Sequence, residues 1–366
     1  MALDEKEIAE QLPKEVIISK EDEELLKFLE ESKPKIFVVG TGGSGCNTLT
    51  RMSEIGIEGV NLAAMNTDVR HLVKMRADKK LLLGKNTTKG LGAGSNPQVG
   101  EAAAKESANE IKEITKNASM IFITCGLGGG TGTGSAHVIA ESAKAAGALT
   151  VAVVTLPFES EGRVRMQNAL EGLDKLKKHA DTVVVIPNDK LLTIAPDLPL
   201  NTAFKVCDEV LASAVKSIAE LITRAGLVNL DFADLKTILT GAGCAVVGVG
   251  ESSVEAKSEQ RAMLGVEMAL NSPLLDVDIS SAQRALVNVV GGEDMTLKEA
   301  ELIVSEVAKR IDPAAHIIWG ARVEKCAKKS AVRVLVVIAG TKFPQYELQQ
   351  RRQTVSVENL DLDLIS

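Results

Sequence analysis

GLGGGTGTG, residues 126–134, is the stretch on which the reading of this chain turns. Six of its nine residues are glycine and two are threonine, and glycine costs more backbone entropy to order than any other residue. It stands between MIFITC (120–125), a strand-like apolar run, and SAHVIAESAKAAG (135–147), a helix-like one. A flexible linker would explain the composition but not the position, because linkers join domains and this segment joins two halves of one β-α unit. A glycine-rich turn from a strand into a helix N-terminus exposes backbone N–H groups, and these bind phosphate. The threonine hydroxyls add donors without bulk.

Working outward, KIFVVG (35–40), ALTVAVVTLPF (148–158) and TVVVIPN (182–188) are near-continuous apolar runs. Such runs suit strands buried on both faces of a mostly parallel sheet. VNLAAMNTD (60–68) and KKLLLG (79–84) read as further strands. Together they predict a Rossmann-like α/β domain over 35–199. Its first strand enters GTGGSG (40–45), a match to the dinucleotide-binding G-x-G-x-x-G. Cys46 and Asn47 follow where a P-loop demands Lys and Ser/Thr, so phosphates here would be held by backbone amides and dipoles. Two glycine loops on two strands of one sheet can grip a triphosphate from both sides. A third, TKGLGAGSNP (88–97), can close over the terminal phosphate; its Asn96-Pro97 is a helix N-cap with proline at the first helical position.

From Leu200 to Thr223, Phe204, Cys207, Leu211, Val215, Ile218 and Ile222 recur in steps of three and four. This predicts a central helix over 200–226, with Gly226 as its stop. A second, smaller domain over 227–342 follows. Its strands are CAVVGVGES (244–252), RALVNVVGG (284–292), HIIWGARVE (316–324) and AVRVLVVIAG (331–340). Helices near 254–270 and 296–311 separate them, the second opening on a capping box, Thr296 to Glu299. The pattern predicts a four-stranded sheet with helices on one face. From 343 to 366 the chain is polar and reads as a flexible tail.

Composition narrows the function. The chain has 366 residues, 45% hydrophobic and 25% charged, with only 2% aromatic. Its cores are therefore packed with Val, Ile, Leu and Ala. No apolar run reaches membrane-spanning length, and MALDEKEIAEQL is acidic where a signal peptide would be basic and then apolar. The five cysteines are scattered, without a CxxC pair, as in a reducing cytoplasm, and give no metal ligand set. Residues 1–34 hold 11 acidic and 5 basic side chains, so this extension carries −6 of the net charge of −7. No basic patch interleaved with aromatics points to nucleic acid.

NLDFADLK (229–236) has two readings. Asp231 is a good N-cap and Asp234 an acid in the first helical turn. The same two carboxylates can orient an attacking water.

GGSGCN, NTD, GLGAGSNP, GGGTGTG, PFESEGRVR (157–165), IPNDKL (187–192), AFKVCDEV (203–210), NLDFADLK, NSPLLDVDI (271–279) and HIIWG appear in order between about residues 34 and 342. In this set the chain resembles the FtsZ family, the tubulin-like cell-division GTPases. The resemblance implies the tubulin/FtsZ fold and a GTPase that forms head-to-tail filaments in the division ring, cytoplasmic and at mid-cell. GTP or GDP with Mg²⁺ would be its ligands, although no metal ligands are legible. It implies nucleotide contacts from Gly42, Gly43, Ser44, Gly45 and Asn47 in the first loop and from Asn66. Gly92, Ala93 and Gly94 would sense the γ-phosphate. Gly128, Gly129, Gly130, Thr131, Gly132 and Thr133 would hold the α- and β-phosphates. Glu161 would take the ribose, Arg165 would lie near base and phosphate, Phe204 would stack on guanine, and Asn188 and Asp208 would read its edge. Asn229, Asp231 and Asp234 would complete the site of the next subunit.

The guanine assignment also has its own chemistry. Guanine offers N1–H and N2–H₂ as paired donors to a carboxylate, and adenine has no such pair. Ser44, Cys46 and His137 depart from the family pattern, and each is expected to tune affinity. The tail ends SVENLDLDLIS, where Leu360, Leu362 and Ile365 loosely resemble a peptide for a membrane-tethering adaptor of the SepF type. Two other readings stay open here. A Rossmann NAD enzyme accounts for GTGGSG but not for GGGTGTG or NLDFAD. A GTP-binding scaffold without turnover is at odds with an intact NLDFAD.

Overall fold

The computed structural model describes residues 34–194, 199–224, 228, 231–252, 258–275, 277–324 and 331–340. The acidic extension, the tail, Gly226 and Asn229 lie outside the described residues. The first half contains β1 (Ile36–Thr41), α1 (Gly42–Ile55), β2 (Val60–Asn66), α2 (Val69–Lys74), β3 (Lys79–Leu82), α3 (Lys85–Thr88), α4 (Pro97–Glu106) and α5 (Ala108–Thr115). It continues with β4 (Met120–Gly126), α6 (Thr131–Ala145), β5 (Leu149–Leu156), α7 (Arg163–His179), β6 (Thr182–Pro187) and α8 (Asn188–Ile194). Then come α9 (Leu200–Thr223), α10 (Phe232–Leu239), β7 (Gly243–Glu251), α11 (Ser258–Leu270), β8 (Arg284–Gly291), α12 (Leu297–Ala308), β9 (His316–Val323) and β10 (Val332–Ala339).

All ten strands form one sheet, in the order β3-β2-β1-β4-β5-β6-β7-β10-β8-β9. The four strands expected of a second domain are thus hydrogen-bonded to the first six, through three register pairs from Thr182–Gly243 to Val184–Ala245. β10 is antiparallel to both its neighbours, and every other pairing is parallel. Period-2 alternation sorts each strand between two cores. Ile36 and Val38 of β1 and Met120 and Phe122 of β4 enter one core. Phe37 and Val39, Ile121 and Ile123 enter the other. Both faces are covered, which is why these strands are apolar throughout.

α9 lies in the first of these cores, burying Cys207, Leu211, Val215, Ile218 and Ala219 against the sheet. Phe204, on the same apolar stripe in the sequence, leaves it and stays 41% exposed. α11 and α12 cover the opposite face with Ala262, Val266, Ile303 and Val307, so these two helices do share one face.

The capping box forms as expected. Thr296 Oγ1 accepts from the Glu299 amide at 3.3 Å, and Glu299 Oε2 accepts from the Thr296 amide at 2.8 Å. Glu299 is buried and also receives Arg261 Nε at 2.6 Å. Thr296→Ala should lower the unfolding free energy by about 1 kcal/mol, with Thr296→Ser near wild type. Chemical denaturation of both variants checks this.

Candidate nucleotide-binding site

Strand order reverses between β1 and β4: the chain runs outward from β1 through β2 to β3, then returns to β4 on the other side. In an open parallel sheet, ligands sit at the carboxyl ends of the strands at such a switch point. Both glycine loops emerge there. Thr41, before α1, and Gly130, before α6, make no side-chain cap, so both first turns keep backbone N–H groups for a ligand. The loops touch: a Cβ on Gly42 would stand 2.8 Å from the Gly132 nitrogen, and Gly42 has φ +73°. The third loop packs behind them, for a Cβ on Gly130 would meet Ala93 Cβ and the Asn96 nitrogen, each at 2.8 Å.

The loops form one wall of a cavity of about 370 Å³. Of the expected residues, Gly42, Gly43, Ser44, Asn47, Gly129, Gly130, Thr131 and Gly132 line it on the glycine side. Glu161, Arg165, Asn188, Phe204 and Asp208 line it on the other. Gly45, Asn66, Gly92, Ala93, Gly94, Gly128 and Thr133 do not line it. Gly45 is buried on the sheet side of α1, where a Cβ would stand 2.2 Å from the Thr124 carbonyl. Asn66 is buried, with its amide nitrogen 3.2 Å from His71 Nδ1 and its oxygen accepting from the Asp68 amide. Thr133 Oγ1 accepts from the Gly128 amide at 2.8 Å, shaping the turn from behind.

The residues opposite the glycine wall are held in place. Glu161 Oε1 accepts from the Phe158 amide at 2.8 Å, and its Oε2 pairs with Arg165 Nε at 3.0 Å. Phe204 stands edge-on to Phe158, 5.4 Å between centroids at 79°. Asn188 Oδ1 is buried with no hydrogen-bond partner among the described residues. Among the described residues Asp208 receives two long hydroxyl bonds, from Ser44 Oγ and Thr48 Oγ1, both 3.4 Å. Burial pushes its carboxyl up to about 6, and those two hydroxyls pull it down less. A buried acceptor without a donor is costly, so Asn188, with the weakly bonded Asp208 in the same cavity, calls for a ligand edge that carries N–H groups.

Sequence reading missed Thr48, Thr155, Pro157 and Cys207. Thr48 is one helical turn beyond Ser44 and supports Asp208. Thr155, Pro157 and Cys207 line the cavity; the signal for the first two was their place at the carboxyl end of a third parallel strand. The Cys46 thiol is buried and donates to the Gly40 and Met65 carbonyls, with its pKa pushed up to about 12 by burial, so it is chemically inert. His137 packs against Glu101 and His179, away from the cavity.

Asp231 and Asp234 do not line this cavity. Asp231 Oδ1 accepts from the Asp234 amide at 2.7 Å, the N-cap of α10. α9 carries the chain from the cavity to the amino end of the sheet. Asp208 near its start is in the cavity, whereas Lys216 donates to the Ile55 carbonyl and Arg224 pairs with Glu58, both ahead of β2. α10 ends where the Leu239 carbonyl accepts from Thr182, the first residue of β6.

Residues 35–196 match the family model "Tubulin/FtsZ family, GTPase domain", and residues 243–342 match "FtsZ family, C-terminal domain". The chain belongs to the FtsZ family. It is 58% identical over 326 residues to cell division protein FtsZ 1 of Methanocaldococcus jannaschii, spanning 89% of this chain and 88% of that one. With FtsZ 1 of Thermococcus kodakarensis it is 53% identical over 348 residues, 93% and 92% of the two chains. Among solved structures, the empty FtsZ dimer of M. jannaschii superposes with a TM-score of 0.82 at 57% identity, covering 88% and 92%. CetZ2 of Haloferax volcanii, at 21% identity and TM-score 0.77 over 88% and 99%, shares the fold. This is the family of the tubulin-like cell-division GTPases, and the NAD-enzyme reading falls.

Proposed function

We propose that the cavity binds GTP and GDP, and that this FtsZ assembles head to tail so that Asp231 and Asp234 of one subunit complete the site of the next. The observation that carries this reading is the separation just described. The glycine turns, the unpartnered Asn188 Oδ1 and the weakly bonded Asp208 share one cavity, while the two carboxylates suited to orienting water lie elsewhere. The uncapped first turns of α1 and α6 take the phosphates, Phe204 stacks on the base, and Glu161 takes the ribose. Asp208 and Asn188 accept from the guanine edge, which excludes ATP. Asn229, two positions before Asp231 in the sequence, acts with Asp231 and Asp234. Asp234, exposed and without a hydrogen bond to its carboxylate among the described residues, polarises the water that attacks the γ-phosphate of the neighbour. Such an interface does not close on itself and so propagates, and loss of the γ-phosphate weakens it. The M. jannaschii relative, solved as a dimer, supports self-association.

Mg²⁺ fits as an ion carried on the phosphates. Among the described residues no cluster of three His, Cys, Asp or Glu could hold a metal, and the cavity's one cation, Arg165, is paired with Glu161. When bound, it supplies the positive charge that a cradle without lysine lacks. The protein works in the cytoplasm at the division site, tethered through SVENLDLDLIS to an adaptor of the SepF type. No described helix is long and apolar enough to cross a membrane.

Light scattering on addition of GTP and Mg²⁺, with phosphate release followed in parallel, tests the reading. Hydrolysis per molecule should rise with protein concentration and track assembly. A rate per molecule that is independent of concentration would overturn catalysis across an interface. Deleting residues 356–366 should leave assembly intact and abolish recruitment to adaptor-coated liposomes; equal recruitment would remove the tail from that role.

A further inference from the structure

The two edges of the sheet are closed differently. At β9, Val228 adds an antiparallel bridge to Ala321. At the other edge, β3 is four residues long and pairs only with β2 among the described residues. The chain around β3 is one-sidedly basic. Residues 70–89 hold seven Lys or Arg and one carboxylate, Asp78, in a protein whose net charge is −7. All seven cations are exposed, and Asp78 is engaged with the Leu62 amide at 2.8 Å. Lys79 lies 5.8 Å from the Phe37 ring centroid and Lys80 donates to the Val73 carbonyl. Lys74, Arg76 and Lys85 make no ion pair among the described residues. Lysine on a short edge strand guards against edge-to-edge pairing. Lys79 and Lys80 suffice for that, yet the cations continue onto α2 on one side of the edge and α3 on the other, offset among the described residues by Asp68 beside Arg70 and by Glu106 on Asn86 and Thr87.

The complementary charge is in the same chain. Residues 1–34 contain 11 acidic and 5 basic side chains and lead directly into β1, two strands from the edge. β1, β2 and β3 are parallel, with Val39 opposite Ala63 and Ala63 opposite Lys79. Lys79 is therefore about 10 Å across and about 10 Å along from the start of β1, while ten extended residues span roughly 33 Å. The tail fits less well. Residues 343–366 carry four acidic and two basic side chains and follow β10, seven strand positions from β3. We propose that the acidic arm, residues 1–34, docks along the cationic β3 edge of its own subunit.

Zero-length carbodiimide cross-linking of the full chain, read by mass spectrometry, tests this. Mixing isotopically heavy and light protein separates links within a subunit from links between subunits. The expected result is heavy–heavy and light–light links from arm carboxylates to Lys79, Lys80 or Lys85. They should fade as salt rises from about 0.05 M to about 0.5 M, where screening shortens to a few ångströms. They should also vanish in Lys79→Glu/Lys80→Glu/Lys85→Glu. A second variant, Asp22→Asn/Glu23→Gln/Glu24→Gln, leaves the sheet untouched and should lower the yield several-fold. Arm links to other lysines only, or links only between heavy and light chains, would overturn docking in cis. So would salt-independent links, or binding to anionic lipid vesicles that is equally tight with and without residues 1–33.

Discussion

Asp234→Ala should bind GTP with unchanged affinity, form filaments and hydrolyse GTP at least about 10²-fold more slowly, the usual worth of a positioned acid or base. Its filaments should outlast those of the wild type because the γ-phosphate stays. The variant is a clean probe. Asp234 is exposed and offers α10 only its amide, which the Ala substitution keeps, because the N-cap bond runs from that amide to Asp231. Its carboxylate contributes about 0.3–1 kcal/mol through the helix dipole, so activity is read per folded molecule. Asp231→Ala mixes two effects, since it also removes a cap worth about 1 kcal/mol, so a fall in its activity must be read against its melting temperature.

Mixing makes the test specific to catalysis across the interface. A partner variant that cannot bind nucleotide should fill the cavity without disturbing the fold, and the packing selects which glycine to change. Gly130 and Gly132 are poor choices, because a Cβ there would meet Asn96 and Ala93, or the Gly126 carbonyl at 3.0 Å. Gly43 and Gly129 line the cavity and face open space within 4 Å, so Gly43→Leu or Gly129→Leu obstructs only the ligand. Mixed with Asp234→Ala, either should restore phosphate release, because an intact Asp234 then meets GTP bound to the other subunit. If Asp234→Ala keeps wild-type activity per folded molecule, or mixing restores nothing, catalysis in trans is lost as an explanation for this protein.

What the sequence made legible follows from how local each signal is. Runs such as MIFITCG are apolar at every position because alternate residues feed two cores, so a doubly covered sheet could be read from one strand. Asp231 as an N-cap and the Thr296–Glu299 box depend on a spacing of three residues and were equally readable. The orientation of β10 was not, for AVRVLVVIAG looks the same parallel or antiparallel, and only its pairing with β7 and β8 fixes it. Nor was the union of two expected sheets into one, which rests on three residue pairs between distant segments. Phe204 shows the limit of periodicity. It continues the apolar stripe of α9, but its ring stays partly exposed, stands edge-on to Phe158 and lines a cavity. Asp208, one turn further on, reads as a solvated helix residue until Ser44 and Thr48 are seen to face it.

Asp208→Asn should make the ligand-free protein more stable and its nucleotide complex weaker. The carboxyl is held at about 6, against 3.8 for an ordinary aspartate, chiefly by burial. A raised carboxyl pKa means that ionised Asp208 opposes folding. The penalty is absent below about pH 4, grows between the two values and is complete above about 6. Asparagine never ionises, so the variant should melt higher than wild type above pH 6 and match it at pH 4. GTP reverses the sign. If, as proposed, two guanine N–H donors meet Asp208, they stabilise the ionised form, so binding should release a proton near pH 6, and wild-type affinity should fall about tenfold per pH unit below that value. In the variant the slope should vanish. Loss of a charge-assisted bond of about 1.5–3 kcal/mol should weaken GTP roughly 10- to 100-fold at pH 7, and the margin over ATP should shrink with it. Calorimetric titration at pH 5, 6 and 7, with thermal melts in the same buffers, checks both signs together. A variant that is stabilised but binds GTP as wild type does would mean that Asp208 is merely a buried acid and that the base edge is read elsewhere.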